Sequence, residues 1–377
     1  MRCFGRDTQE EASPAGQARS SSEGIDGAGL GSAERRGYDR RIASNGLELS
    51  VITVSGAGLD AIRKVLAALR SQTARERIEL IVIAREDCSE DSELLAGFGS
   101  VQVLDGNQPF ARLGDAVALG VRAASAPAVA YAEEHSLPEP RWAAALIQRH
   151  RGPWTGVGWS VVNANPGSAT SWAHLISDFA AGAVPTLSSE RTSPMPWHHV
   201  SYKRDELLAY GGRLDGILET ESLLQNDLLA RGKRLYMEGK ARSLHVNVSS
   251  LRQNIRMHLI GGRVYAAALA ESERLSVPRR AARTLGTSLA PIPRLLSLRT
   301  TIARTRPLRG RTPGLIASLA LCMTAQSAGE ALGYVLGEGQ AARRRLPFEL
   351  QRERFLRAGD SVDVPDPEPR VRDPVPA

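Results

Sequence analysis

Leu49–Val54 reads L-S-V-I-T-V, a β-branched run closed by Ser55-Gly56, and predicts a buried strand. Ile62, Val65, Leu66 and Leu69 then recur at helical spacing within Ala61–Leu69. A second apolar run, Leu80–Ile83, ends in Ala84-Arg85-Glu86-Asp87, and a third, shorter one covers Val101–Leu104. Gly114–Ala124 places Val117, Val121 and Ala124 on one helical face, and Val129–Ala132 is a fourth strand. A helix follows at Trp142–Arg149, just after Pro138 and Pro140. This alternation predicts an α/β fold: a mostly parallel central sheet with helices on both faces.

Beyond Gly152 the texture changes to Asn, Pro, Gly and Ser, and all five tryptophans fall between Trp142 and Trp197. Gly156–Val162 reads as a strand, Asn163–Gly167 as a turn and Ser171–Phe179 as a short helix. Thr186–His199 reads as a mobile loop. Helical signal returns at Asp205–Tyr210 and Glu221–Ala230, with Gly232 placed to end the second helix. Arg234–Met237 fits an edge strand.

Composition narrows the picture. A chain of 377 residues with 42% hydrophobic positions builds a real core. Cys3, Cys88 and Cys322 are scattered without metal-ligand spacing, which fits a reducing, cytoplasmic compartment and gives no disulfide framework. Residues 1–46 are polar and rich in Gly, Ser and Ala, the texture of a disordered leader without a secretory apolar core. Residues 346–377 carry the proline and charge of a disordered tail. The net charge of +7 is unevenly placed: Glu271–Arg311, where ten arginines meet two glutamates, alone exceeds it. That stretch holds no aromatic residue, which argues against nucleic acid. It leads into Leu315–Leu336, whose Glu330 opposes a membrane span. A basic region, 251–345, beside a half-apolar helix fits peripheral attachment to anionic membrane, with Leu315–Met323 inserting shallowly. A helix packed on the domain fits equally.

The sharpest chemical signal is Tyr131–Trp142, Y-A-E-E-H-S-L-P-E-P-R-W. It puts Glu133, Glu134 and His135 at the C-terminal end of a buried strand, the edge where open α/β sheets bind ligands. Two carboxylates and an imidazole there call for a positive partner, such as a divalent metal on a phosphorylated substrate. A solvated acidic loop is the plainer alternative. On an extended segment, Glu133 and His135 share one side and Glu134 takes the other.

Two motifs compete for this core. Gly56-Ala57-Gly58-Leu59-Asp60-Ala61 matches the dinucleotide pattern G-x-G-x-x-A, and Arg85 after the second strand would make the cofactor NADP. Nothing downstream reads as a hydride-transfer site. Against it stands a longer order: strand, helix, E-L-I-V-I with Ser89-Glu90-Asp91, helix, acid-ended strand, then P-x-P-x-W. Farther on come Ser201-Tyr202-Lys203-Arg204 with Leu207, Tyr210 and Gly211-Gly212, then Glu219-Thr220-Glu221, and His245 after Ala241–Leu244. Over roughly 47–250 this order resembles the catalytic domain of family 2 glycosyltransferases, inverting enzymes with the GT-A-like nucleotide-diphospho-sugar transferase fold.

The resemblance implies transfer of a sugar from a nucleotide-diphosphate donor to a cell-envelope, lipid-linked or polysaccharide acceptor, assisted by Mn²⁺ or Mg²⁺. Glu133, His135 and His245 fall at its metal positions, Glu133 also serving the ribose. Ser55, Asp87 and Asp91 fall near its nucleotide contacts. Glu221 is the candidate general base, with Glu219 and Asp227 in reserve. The start of a helix at Glu221 would keep it ionised. Departures are plain: Ala84 replaces the usual base-contacting aspartate, Val54-Ser55-Gly56 the usual Pro-Thr, and E-E-H the usual D-x-D. Imidazole favours Mn²⁺ over Mg²⁺. A non-catalytic relative acting in binding or assembly is the alternative class, and the NADP oxidoreductase the third.

Overall fold

The computed structural model describes residues 40–41, 46–84, 93–106, 110–180, 183, 187–304, 312–360 and 362. Asp87 and Asp91, most of the expected leader, and residues 361 and 363–377 of the expected tail lie outside the described residues.

Four parallel strands form the first half of the sheet: β2 (Leu49–Val54), β3 (Ile78–Ala84), β4 (Ser100–Asp105) and β5 (Ala128–Tyr131). Strand β1 (Arg40–Arg41) pairs antiparallel with the outer edge of β4. Every residue of β2 and β3 is buried, as a strand covered on both faces requires. Helices α1 (Arg63–Arg70) and α2 (Leu113–Ala123) make the crossovers. On one side Leu66, Leu69, Trp142 and Leu146 fill the core. On the other stand Ile52, Val117, Val121 and Tyr202.

The chain then adds β6 (Ser136–Pro138), α3 (Trp142–His150), β7 (Gly156–Asn163), α4 (Ala169–Phe179), β8 (Ser189–Arg191) and β9 (Val200–Lys203). Three helices follow, α5 (Arg204–Leu208), α6 (Leu214–Leu218) and α7 (Glu221–Ala230), before the long strand β10 (Leu235–His245). Gly232 takes φ +74° after α7, a conformation that costs glycine nothing. The strand order is β1-β4-β3-β2-β5-β9-β7-β10-β6, with β8 also on β10. Only β9 runs against its long neighbours, so the sheet is mostly parallel and flanked by helices, the fold class expected.

Three local expectations are corrected. Arg234–Met237 is no edge strand: it opens the eleven-residue β10, which pairs with β7, β6 and β8. The segment ending at His199 is held in place, because the Met195 amide donates to Gln225 Oε1 and the His198 amide to Glu221 Oε2. The dinucleotide pattern also lacks its setting. Leu59–Ile62 forms a 3₁₀ turn, and a Cβ on Gly56 would stand 3.2 Å from Leu350, where a pyrophosphate would have to approach.

The last third is helical: α8 (Leu251–Ser272), α9 (Val277–Thr287), α10 (Pro291–Ser297), α11 (Arg299–Arg304), α12 (Thr312–Leu336) and α13 (Ala341–Leu350). Helix α12 is long and apolar enough to cross a membrane by length and composition, yet half of its apolar window is covered. Leu315, Leu319, Cys322 and Met323, expected to insert in lipid, are buried instead, with Leu315 and Leu319 packed against α4. Close approach to α8 needs small residues: a Cβ on Gly329 would lie 2.0 Å from the Leu259 carbonyl oxygen. Nor does disorder begin at 346. Phe348 is buried and stacks on Phe355 at 4.1 Å, and Arg352–Phe355 forms a further turn.

Candidate functional site: a carboxylate among histidines

Strand β5 ends at Tyr131, and the chain turns at once, so Glu133–His135 sits at the C-terminal edge of the parallel strands. Residues 136–138 then pair antiparallel with the end of β10, setting Ser136 opposite His245, and the Val246 amide donates to the His135 carbonyl at 3.0 Å. This pairing brings His245 to the triplet across 110 residues of chain. Glu133 Oε2 stands 3.4 Å from His245 Nε2, 3.6 Å from His135 Nε2 and 3.7 Å from His199 Nε2. Two ligand atoms on one tetrahedral ion, each about 2.1 Å from it, are about 3.4 Å apart. The carboxylate, His135 and His245 form one ligand group by proximity, and Glu133, His198 and Glu349 a second.

The imidazoles are fixed from behind. Asn247 Nδ2 donates to Asn163 Oδ1 and the His245 carbonyl, leaving Asn247 Oδ1 to accept from His245 Nδ1 at 3.0 Å. His245 Nε2 therefore carries a lone pair, aimed at Glu133. His199 Nδ1 faces the Trp197 carbonyl at 2.9 Å, which likewise turns its Nε2 lone pair inward. Glu133 Oε2 and His245 Nε2 are buried without a hydrogen-bond partner among the described residues. Orphaned acceptors of this kind fit a cation. Asn163-Ala164-Asn165, expected to be only a turn, is thus part of the support: Asn165 Oδ1 accepts the Asn247 amide at 2.8 Å.

Electrostatics follow from burial. Desolvation raises Glu133 to about 7 against the pull of His199. It lowers His245 to about 3 and His199 to about 4, and His135, burdened also by Arg352, falls well below the usual imidazole value. Neutral imidazole is the form that binds metal. Behind them Asp178 lies between His174 Nε2 at 3.2 Å and His258 Nε2 at 3.3 Å. Burial would lower His258, but Asp178 overrides it and holds this imidazole well above its usual value. Six of the chain's seven histidines meet in this one region.

The far wall comes from α13 and the turn after it. Arg352 Nη2 lies 2.8 Å from His135 Nε2 and 3.4 Å from Glu349 Oε2, and its amide donates to Glu134 Oε1 at 3.3 Å. Arg345 donates to Glu349 at 3.1 Å and sits 3.1 Å over the Trp197 ring. Glu134, expected opposite Glu133 on an extended segment, lies in a turn and, like His135, meets Arg352.

Glu221 opens α7, is buried, and lines a cavity of about 420 Å³ with Glu219, Trp197, Arg345 and, at its other side, Arg294 and Glu330. The helix dipole does not keep Glu221 ionised. Burial raises it to about 8, although the His198 amide donates to it. Glu219 lines the same cavity but accepts the Gly114 amide at 2.9 Å, and burial lifts it to about 7. Asp227 leaves the site altogether, bonded to Tyr210 and Arg231 at the surface. Ser55 closes the turn after β2 through the Gly58 carbonyl.

Sequence reasoning missed His198, His199, Arg345, Glu349 and Arg352. The histidine pair was visible but lay in a stretch read as mobile. The other three recur at i, i+4 and i+7, a polar stripe that straddles the boundary between the region read as basic and the segment read as tail.

No family model matches the chain, and no curated protein does. Among solved structures the chain is similar to the mannosyltransferase PcManGT from Pyrobaculum calidifontis in complex with GDP-Man and Mn²⁺. The TM-score is 0.43 at 15% identity, over 73% of this chain and 85% of that one, an overlap that assigns neither ligand nor activity.

Proposed function

We propose that the chain is a GT-A-like glycosyltransferase of the family 2 kind, moving a sugar with inversion from a nucleotide-diphosphate donor to a glycan or lipid-linked acceptor. The observation that carries the reading is the orphaned carboxylate–imidazole cluster at the ligand-binding edge of the sheet. Glu133, His135 and His245 would hold a divalent metal, Mn²⁺ in preference to Mg²⁺ given two imidazoles. Once bound, the metal supplies Lewis-acid neutralisation of the leaving diphosphate. Arg345 and Arg352 add fixed guanidinium charge on the same wall, suited to phosphate oxygens. Ser55, Asp87 and Asp91, which follow the first two expected strands in sequence, are the candidate nucleoside contacts. Glu221 faces the cavity, where it takes the proton from the acceptor hydroxyl. A base with a pKa of about 8 is well matched to that transfer once ionised.

One observation favours a second reading, a non-catalytic binding protein: Arg352 already presents a cation to His135. A thermal-shift panel of UDP-, GDP- and dTDP-sugars, with and without Mn²⁺ and beside NADP, separates these. Metal-dependent stabilisation by a nucleotide sugar, followed by donor hydrolysis, supports the transferase. Stabilisation without turnover supports the binding protein. Response to NADP alone sinks both.

A further inference from the structure

From Arg274 to Gly329 the chain carries no acidic residue. Within that span Val277, Ala281, Leu285, Leu289, Ile292 and Leu296 recur at helical intervals along α9, the turn after it and α10. The stripe points outward: its five large side chains are 57 to 80% exposed. The inner side of α10 is mixed, with Leu295 and Leu298 packed on the cluster of α4 and α12 beside one arginine. Arg294 of α10 pairs at 2.8 Å with Glu330, which is buried in α12. A helix on a water-facing surface has the opposite polarity.

We propose that this face docks on an anionic lipid surface. Arg279 and Arg299 are exposed beside the stripe, as is Arg283, which pairs with Glu273 at 3.1 Å, so leucine side chains can enter the acyl boundary while guanidiniums meet lipid phosphates. A second copy of the chain fits the face poorly, because it would set arginines against arginines. The lipid contact therefore belongs to α9 and α10, not to Leu315, Leu319, Cys322 and Met323, which are buried. Arg294 also lines the cavity that holds Glu221, so docking brings that cavity to the bilayer. The consequence for a lipid-linked acceptor rests on the glycosyl-transfer reading; the docking does not.

The test is flotation of the full chain with phosphatidylcholine vesicles, with and without phosphatidylglycerol, at low salt and at about 0.5 M salt. Binding is expected only with phosphatidylglycerol at low salt. Leu285→Asp, Leu289→Asp and Ile292→Asp together should return it to background with an unchanged melting temperature. Arg279→Glu with Arg299→Glu should weaken partition by at least about tenfold. Absence of flotation at low salt overturns the proposal, as does undiminished flotation of the triple variant. A dimer that the triple variant disperses, without vesicle binding, overturns it in favour of self-association. Nucleotide-sugar binding measured in parallel keeps the two readings apart, since its failure leaves the flotation result standing.

Discussion

The edge of the sheet and the outer helices depart from ordinary burial in opposite directions. At the edge, Glu133, Glu221 and five neutral imidazoles are buried, and their pKa values shift to favour the uncharged forms. On α9 and α10, leucine and isoleucine face outward while an arginine turns in. Each arrangement costs stability in isolation, the first through desolvation and the second through exposed apolar area. The difference is one of sign: ionisable groups withdrawn from solvent at the edge, apolar side chains presented to it at the helices.

The largest expected effect strikes the edge. Glu133→Ala or His135→Ala should lower metal-dependent donor turnover by about 10³-fold, the scale of several kcal/mol of lost charge stabilisation. Circular dichroism should show the fold intact. Full activity in both variants would remove the cluster from the chemistry and leave the comparison one-sided. Glu221→Gln should cost about 10²-fold in turnover while leaving donor affinity unchanged. In the unsubstituted chain, activity should rise as pH climbs through about 8, because the base works only ionised and burial raises its pKa. A profile flat from pH 6 to 9 would move the role elsewhere.

The helical side is sharpened by Gly329→Ala. Its added Cβ would meet the Leu259 carbonyl, and overpacking should cost about 1–3 kcal/mol in urea denaturation. Donor binding should survive, showing that the α8–α12 contact serves the scaffold and not the nucleotide. The smallest effect should come from Asn247→Ala, which frees His245 to rotate and change tautomer. Mn²⁺ affinity by titration calorimetry should fall about tenfold. An unchanged affinity would take His245 out of the ligand set.

Much of this was legible along the chain. Leu49–Val54 and Glu221–Ala230 fold with the bounds their periodicity set, because local hydrophobic pattern decides elements covered on one or both faces. The triplet announced itself because two acids and an imidazole end a buried strand. What stayed hidden was everything that depends on distant pairing. His199 arrives on a strap pinned by α7, and Arg352 on a turn after α13, and no local signal reports either meeting. The protonation of Glu221 was misread for the same reason: a helix dipole is local, whereas the desolvation that outweighs it comes from tertiary packing. The fate of Leu315–Met323 depended on α4, over a hundred residues upstream.

The contact between Arg352 and His135 spans 217 positions. A ribosome delivers the sheet first, and domains fold as they emerge. A nascent chain that has reached residue 340 holds β2 to β10 and every histidine of the cluster, but lacks Arg345, Glu349 and Arg352. Its pocket is open to solvent on that side and has no guanidinium wall. Synthesis thus acts as a timer. The site is completed only after residue 352 has emerged, so products truncated before it carry a recognisable sheet and an unfinished centre.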